Sequence, residues 1–298
     1  MKKNRRIIFN IGLKLIVIIS VIFAVSFAIM IYIATDLFKN DMTSFIENNN
    51  HRISSSAAQS LEIYIRNIIE KSYIAADELS RNAASSVPVT EETVSDSLAS
   101  LFLSSSNDIF YLAIVERTDA PSGTGEEPDI RIRKNVYNQN FFTMNELDYG
   151  SLPETVASLS GEITEGLRLH VRVFNASPHF SYPVTGLIIP YQALDENTAK
   201  SVLVLFIKTD VLRNIVHSTD ITTTYIISED GTILVHPDLK QVLNSQDVVK
   251  LPIYQDFHTN ALDNGQKHFT ENGDAKIGSY QRINFAGFSL GVITTVDE

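Results

Sequence analysis

The chain of 298 residues contains no cysteine and no tryptophan. Without cysteine there is no disulfide, no thiolate nucleophile and no Cys-ligated zinc, and any redox compartment is tolerated. Proline is scarce, and none precedes Pro88, so none breaks a helix in the first quarter of the chain. Catalytic signatures are missing too: no HExxH, Gly-x-Ser-x-Gly or P-loop pattern occurs. Gly123-Thr124-Gly125 is a lone glycine pair in an acidic loop, followed by two acids that would repel a phosphate. His236, ahead of Pro237-Asp238, lacks a third ligand at metal-binding spacing and reads as a strand-ending turn with Asp238 as a cap. The fragment is read as non-enzymatic, with no cofactor and no metal.

Basic charge is lacking wherever nucleic acid would need it. Residues 1–34 hold five basic residues (Lys2, Lys3, Arg5, Arg6 and Lys14) and no acid. The remainder has 19 basic against 35 acidic residues, a net of −16 inside a total of −11. That acidic body excludes nucleic acid as a partner.

What is present begins with Leu15–Ala34, about 20 residues without a charge, the length that crosses a hydrocarbon core of about 30 Å. The cations before it keep the N-terminus in the cytoplasm and send later residues outside. The rival reading is a signal peptide cleaved near Ala24-Val25-Ser26. It would strand the apolar-rich Phe27–Ala34 on the mature end, so an uncleaved anchor is favoured. From Asp36 to about Ser85 apolar or small residues recur at steps of three and four, among them Phe38, Met42, Phe45, Leu61, Ile65, Ile68, Ala75 and Leu79. One continuous stalk helix is expected, with two helices broken at Glu47–Asn50 as the alternative.

Strand signals follow a boundary at Val87–Ser106, where Thr90 ahead of Glu91 and Glu92 reads as the cap of a short helix. Ile109–Val115 and Ile130–Phe142 read as extended, flanking an exposed loop at Asp119–Asp129, and Ser151–Ser160 as a short helix. Leu167–Val173 alternates, with Arg168, His170 and Arg172 on one face, and Val184–Tyr191 is its partner strand. Ser201–Lys208 has the length of a buried strand, and Asp210–His217 reads as a helix. A second unit comprises a hairpin over Thr222–His236 turning at Asp230-Gly231, a helix over Pro252–Asp263, and strands at Gln266–Thr270, Lys276–Ile283 and Phe288–Val296. Nothing after that resembles a return membrane helix, so one is expected beyond Glu298.

This order of elements resembles the double Cache sensors, whose two PAS-like modules hang from a long N-terminal helix. Thr222–Asp238 (TTTYIISEDGTILVHPD) looks like the opening hairpin of the membrane-proximal module, and Ser201–Ile215 like the last strand and connecting helix of the distal one. Val173–Gln192 with Asn264–Val296 looks closest to the sensors preceding bacterial membrane-bound adenylate/guanylate cyclases. The resemblance implies an α+β fold: a transmembrane anchor at 1–35, a stalk at 36–85, a distal module at 86–218 and a proximal module at 219–298. It also implies an extracytoplasmic ligand-sensing region in the bacterial cytoplasmic (inner) membrane, with output through a cyclase or chemoreceptor domain. The alternative is a membrane-anchored binding or scaffold protein without signalling. The amino-acid-binding branch of that family carries an Arg-x-Trp-Tyr-like stretch and an Asp on the last distal strand that holds the ligand amine. Here there is no Trp and the strand offers Phe206, so amino-acid binding is not carried over.

In a PAS-like module one sheet face packs on the long helix and the other lines the ligand cavity. A cavity-facing Arg168/His170/Arg172 row would suit a small anionic ligand; its alternative is a solvated strand face. The candidate ligand-binding residues are Tyr111, Arg133, His170, Arg172, Tyr182 and Tyr191. Phe38, Met42, Phe45 and Ile46 lie on the stripe below any sheet, where a parallel homodimer would cover them.

Overall fold

The computed structural model describes residues 11–81, 108–117, 130–193, 198–216, 218, 219, 221–285 and 287–297. The basic start at residues 2–6, the Val87–Ser106 segment and the Asp119–Asp129 loop lie outside the described residues. The proline-free run forms one helix, α1 (Ile11–Arg81), of 71 residues, and the four polar residues at Glu47–Asn50 do not break it.

The chain divides into two units, 1–49 and 50–298. The described residues of the first are the beginning of α1. From Leu15 to Ile33 its large apolar side chains are exposed on every side, and the most apolar window has a mean hydropathy of 2.9. A helix apolar all round, with nothing packed on it, is long and apolar enough to cross a membrane. Phe38 and Phe45 further along are 67% and 66% exposed.

In the second unit α1 becomes one-sided. Ala57, Ala58, Leu61, Ile65, Ile68, Ala75, Ala76 and Leu79 are buried, spaced so that they share one face. That face packs on two five-stranded antiparallel sheets. The first contains β1 (Ile109–Arg117), β2 (Ile130–Tyr137), β3 (Arg172–Asn175), β4 (Val184–Ala193) and β5 (Ala199–Lys208), in the order β2-β1-β5-β4-β3. The second contains β6 (Thr222–Ser228), β7 (Ile233–Val235), β8 (Asn264–Glu271), β9 (Asp274–Phe285) and β10 (Phe288–Asp297), in the order β7-β6-β10-β9-β8. Counted from its own first strand, each sheet reads 2-1-5-4-3, so the fold is one module used twice, in the α+β class.

Period-two side-chain alternation sorts each strand between two cores. On β5, Leu203, Leu205 and Ile207 join the core under α1, while Val202, Val204 and Phe206 enter a second core on the outer face. Helices α2 (Gln139–Met144), α3 (Leu152–Ser158), α4 (Ser160–Leu167) and α5 (Ser177–Phe180) belong to the first module, whose sheet α6 (Thr209–Ile215) follows. The second module contributes α7 (Leu239–Leu243) and α8 (Pro252–Thr259). Asn138 caps α2 by accepting from the amide of Phe141, and Asp238 caps α7 by accepting from that of Lys240. The β8–β9 hairpin turns on Asn272 and Gly273, both at positive φ (54° and 98°), as an Asn-Gly turn requires.

Two sequence expectations are corrected. Ile130–Phe142 is not extended throughout: the strand ends at Tyr137, and Phe141 and Phe142 sit on α2. Leu167–Val173 is not a strand. Leu167 ends α4, Leu169 sits at φ 65°, and only Arg172 onward pairs with β4. The competing signal was in the sequence: Leu152, Val156, Leu159, Ile163 and Leu167 follow steps of three and four, and all are buried along α3–α4.

Candidate ligand site

The outer face of the first sheet is an aromatic enclosure. A bulge in the β1–β5 register between Ile109 and Tyr111 turns both Phe110 and Tyr111 onto this face, where strict alternation would have separated them. Phe110 stacks on Phe141 at 4.2 Å and meets Phe180 edge-on at 5.8 Å. Tyr111 lies parallel to Phe206, its partner across the ladder, at 5.3 Å. Such ring pairs hold their geometry beyond what area burial alone gives.

Inside this enclosure the hydroxyl of Tyr111 is fully buried and makes no hydrogen bond among the described residues. Burial pushes its pKa up to about 12, and the side-chain amide of Asn135 opposes the shift without reaching hydrogen-bond geometry. An unpaired buried hydroxyl costs about 1–3 kcal/mol. It is a donor and acceptor in apolar surroundings that the described residues leave unpaired.

The six residues singled out in the sequence are not brought together. Tyr111 is in the enclosure and Tyr182 at its edge, edge-on to Phe141, with its hydroxyl donating to Asp210 at 3.1 Å. Tyr191 faces the other way, into the core under α1, and its hydroxyl donates to Asp77 of α1 at 2.8 Å. Arg133 is exposed and paired with Glu116 at 2.9 Å. His170 is exposed beside Gly287, and Arg172 is paired with Glu162 at 3.1 Å in a cleft between the two modules. Arg168, exposed, pairs with Glu165 one turn back on α4. The basic row expected on one strand face therefore does not exist, because its three members span a helix end, a left-handed turn and a strand start. With it goes the geometric argument for an anionic ligand. Sequence reading missed Phe110, Phe141 and Phe142 as walls, although the Asn138 cap three residues before Phe141 marked a helix there.

The second sheet finishes its outer face differently. Tyr280 also has a buried hydroxyl without a hydrogen bond of ordinary geometry, but Asp256 and Asn260 stand beside it, and burial followed by the Asp256 charge raises its pKa. Its ring occupies a socket that exists because residue 265 is glycine: a Cβ there would lie 2.6 Å from the hydroxyl oxygen. Gly278 makes the same room for Ile253 and Phe269, and Gly291 for Phe257 and Ile227. Backbone and side chains thus close on this face and fill it.

No protein-family model matches the chain, and no curated protein matches it in sequence. Solved structures do match. The periplasmic sensory domain of the Campylobacter jejuni chemoreceptor Tlp1 aligns with a TM-score of 0.55 at 12% identity, covering 86% of this chain and 96% of that one. The ligand-binding domain of the Pseudomonas fluorescens chemoreceptor CtaA, in complex with L-isoleucine, aligns with a TM-score of 0.52 at 15% identity, covering 87% and 95%. That of the Pseudomonas aeruginosa PAO1 amino acid chemoreceptor PctB, in complex with L-Arg, aligns at 0.50 and 18% identity, covering 85% and 95%. The fold is the double Cache fold of these sensory domains.

Proposed function

We propose that this chain is the extracytoplasmic ligand-sensing region of a bacterial transmembrane signalling receptor, anchored in the cytoplasmic membrane by the first part of α1. One observation carries the reading. A repeated PAS-like module is mounted on a single unbroken helix whose beginning is suited to lipid, in the fold of periplasmic sensory domains. A chemoreceptor signalling domain or an adenylate/guanylate cyclase suits the output of such a sensor.

The ligand is a small molecule, and its site is the aromatic enclosure of the N-terminal module. Tyr111 supplies the polar contact and Phe206 a flat apolar wall. Because Phe206 stands where the resembling amino-acid sensors place an amine-holding Asp, an α-amino group gains no charge partner from that strand. The remaining candidates act at a distance from this site: Tyr182 braces Phe141, Tyr191 ties the sheet to α1, and Arg133, His170 and Arg172 lie on the periphery.

Reporter enzymes fused after residue 60 test the topology: one that works only outside the cytoplasm should be active, and an active cytoplasmic reporter refutes the placement. Thermal unfolding of the full chain in detergent, screened against small metabolites, tests the site. A true ligand at a hundred times its Kd adds about 2.7 kcal/mol of stability, and Tyr111→Phe should remove most of that gain.

The exposed Phe38, Met42 and Phe45 fit a parallel pairing of two copies, since two anchors in one membrane raise each other's effective concentration. Single cysteines at 38, 42 and 45, placed in this cysteine-free background, should crosslink in intact membranes with a helical period. Uniform or absent crosslinking across 36–50 speaks against the dimer.

A further inference from the structure

Between the two modules lies a cleft of about 550 Å³, a volume in the range of small-molecule sites. Glu162, Arg172 and Phe174 line it from the N-terminal module, and Glu229, Asp230 and Phe288 from the C-terminal module. Its charges do not balance. Arg172 is the one guanidinium among its described lining residues, and the Nε already donates to Glu162 at 3.1 Å. Glu229 and Asp230 have no cationic partner among the described residues. His179 and His258 complete the titratable lining.

The turn that carries these two carboxylates is fixed before anything binds. They sit on the β6–β7 turn, where Gly231 adopts φ 86° against the ring of Tyr254. The Tyr254 hydroxyl donates to the carbonyl of Glu229 at 3.0 Å. One oxygen of Asp230 accepts from the amide of Thr232 at 3.1 Å and from the hydroxyl of Ser228, which leaves its other oxygen for a ligand. A turn fixed this way loses little freedom on binding.

We propose that this cleft binds a small organic cation, a diamine or other alkylammonium, with its nitrogen on the carboxylates of Glu229 and Asp230 and its carbon chain along Phe174 and Phe288. Charge-assisted hydrogen bonds and the faces of aromatic rings both favour an ammonium, and the surplus of carboxylates repels an anion. Such a ligand touches both modules at the point where they are already stapled. The side-chain amide of Asn175 on β3 donates to the carbonyls of Ile233 and Val242 in the C-terminal module, at 3.2 and 2.6 Å. The cation would thus set the spacing of the modules independently of whatever occupies the aromatic enclosure. The inference does not depend on the receptor reading, because a binding protein without signalling would hold the same cleft.

Calorimetry on the full chain in detergent tests it with two four-carbon probes of opposite charge, 1,4-diaminobutane and succinate. The diamine should bind with 1:1 stoichiometry, more weakly as salt is raised, and succinate should not. Asp230→Asn combined with Glu229→Gln keeps the turn chemistry and should weaken the diamine at least tenfold. Tyr111→Phe should leave it unchanged. If the double variant fails to fold, Glu229→Gln alone serves, since that side chain is exposed. Equal binding of succinate, no binding of the diamine, or a diamine affinity unaffected by the carboxylate variants would each overturn the proposal.

Discussion

The two modules share one strand order and one supporting helix, and they differ in what covers the face turned away from it. The C-terminal face is plugged: three glycines (Gly265, Gly278 and Gly291) let Tyr280, Ile253, Phe269 and Phe257 settle against the strands. The N-terminal face is walled by rings from β1, β5, α2 and α5, and it leaves the Tyr111 hydroxyl without a partner among the described residues. Each face buries a tyrosine hydroxyl that makes no hydrogen bond among the described residues, but Tyr280 has the Asp256 carboxylate beside it, whereas Tyr111 has the Asn135 amide nearby and is otherwise ringed by aromatic side chains. Under the proposed reading the N-terminal face takes the ligand, and the filled C-terminal face stiffens the connection to the helix.

The largest effect expected from breaking this contrast is in the plug. Phe257 is fully buried, edge-on to Tyr280 at 5.8 Å and beneath the guanidinium of Arg282. Phe257→Ala should cost about 3–5 kcal/mol in urea unfolding, because the sockets around it are backbone and relax little. A loss under 1 kcal/mol would mean that the face is loosely filled and the two modules are finished alike.

Tyr111→Phe sharpens the same contrast from the other side. Removing an unpaired buried hydroxyl should leave the ligand-free protein as stable as before, or more stable by about 1 kcal/mol. The pH dependence carries a sign. The folded state keeps the Tyr111 phenol neutral to about pH 12, while the unfolded chain ionises near 10. Its contribution is therefore complete below pH 10 and is lost as pH rises from 10 to 12, by about 2–3 kcal/mol in all. The Phe variant should lose correspondingly less over that window than the parent, measured by denaturant unfolding at pH 9, 10 and 11. Parallel curves for the two proteins would show that the hydroxyl is not buried as described.

How far these features could be read from the sequence follows from how local their causes are. The charge-free 20-mer, the proline-free stripe of α1 and the apolar run of β5 are set by residues a few positions apart, and all were legible. The stretch Leu167–Val173 was misread because its alternating leucines and valines satisfy a strand and a helix end equally well. What decides is Gly166, where a Cβ would come within 2.3 Å of Ile188, so that α4 can press onto β4. The Tyr111 site was legible only as a residue type. Its orientation depends on a bulge set by pairing with a strand about 95 positions away, and its lack of a partner among the described residues depends on every neighbour at once.

The smallest expected effect lies where the two sheets grip α1. On the C-terminal sheet the grip is buried: Asn50 donates to the carbonyl of Ile277 at 3.1 Å, and Ser54 and Ser279 share a hydrogen bond at 3.2 Å. On the N-terminal sheet it is only partly buried, with the Tyr191 hydroxyl between Asp77 at 2.8 Å and Ser80 at 3.2 Å, and with Tyr73 donating to the carbonyl of Pro190 at 3.0 Å. Tyr191→Phe removes one hydroxyl from this arrangement, and Asp77, which is exposed, recovers its lost bond from water. The cost should be about 0.5–1.5 kcal/mol. Asn50→Ala should exceed it, because the carbonyl of Ile277 then loses its donor where water does not reach. A helix held firmly by the C-terminal sheet and lightly by the N-terminal one can shift against the second without leaving the first. If Tyr191→Phe proved the more damaging of the two in urea unfolding, the grips would be reversed and that division of labour between the modules would be lost.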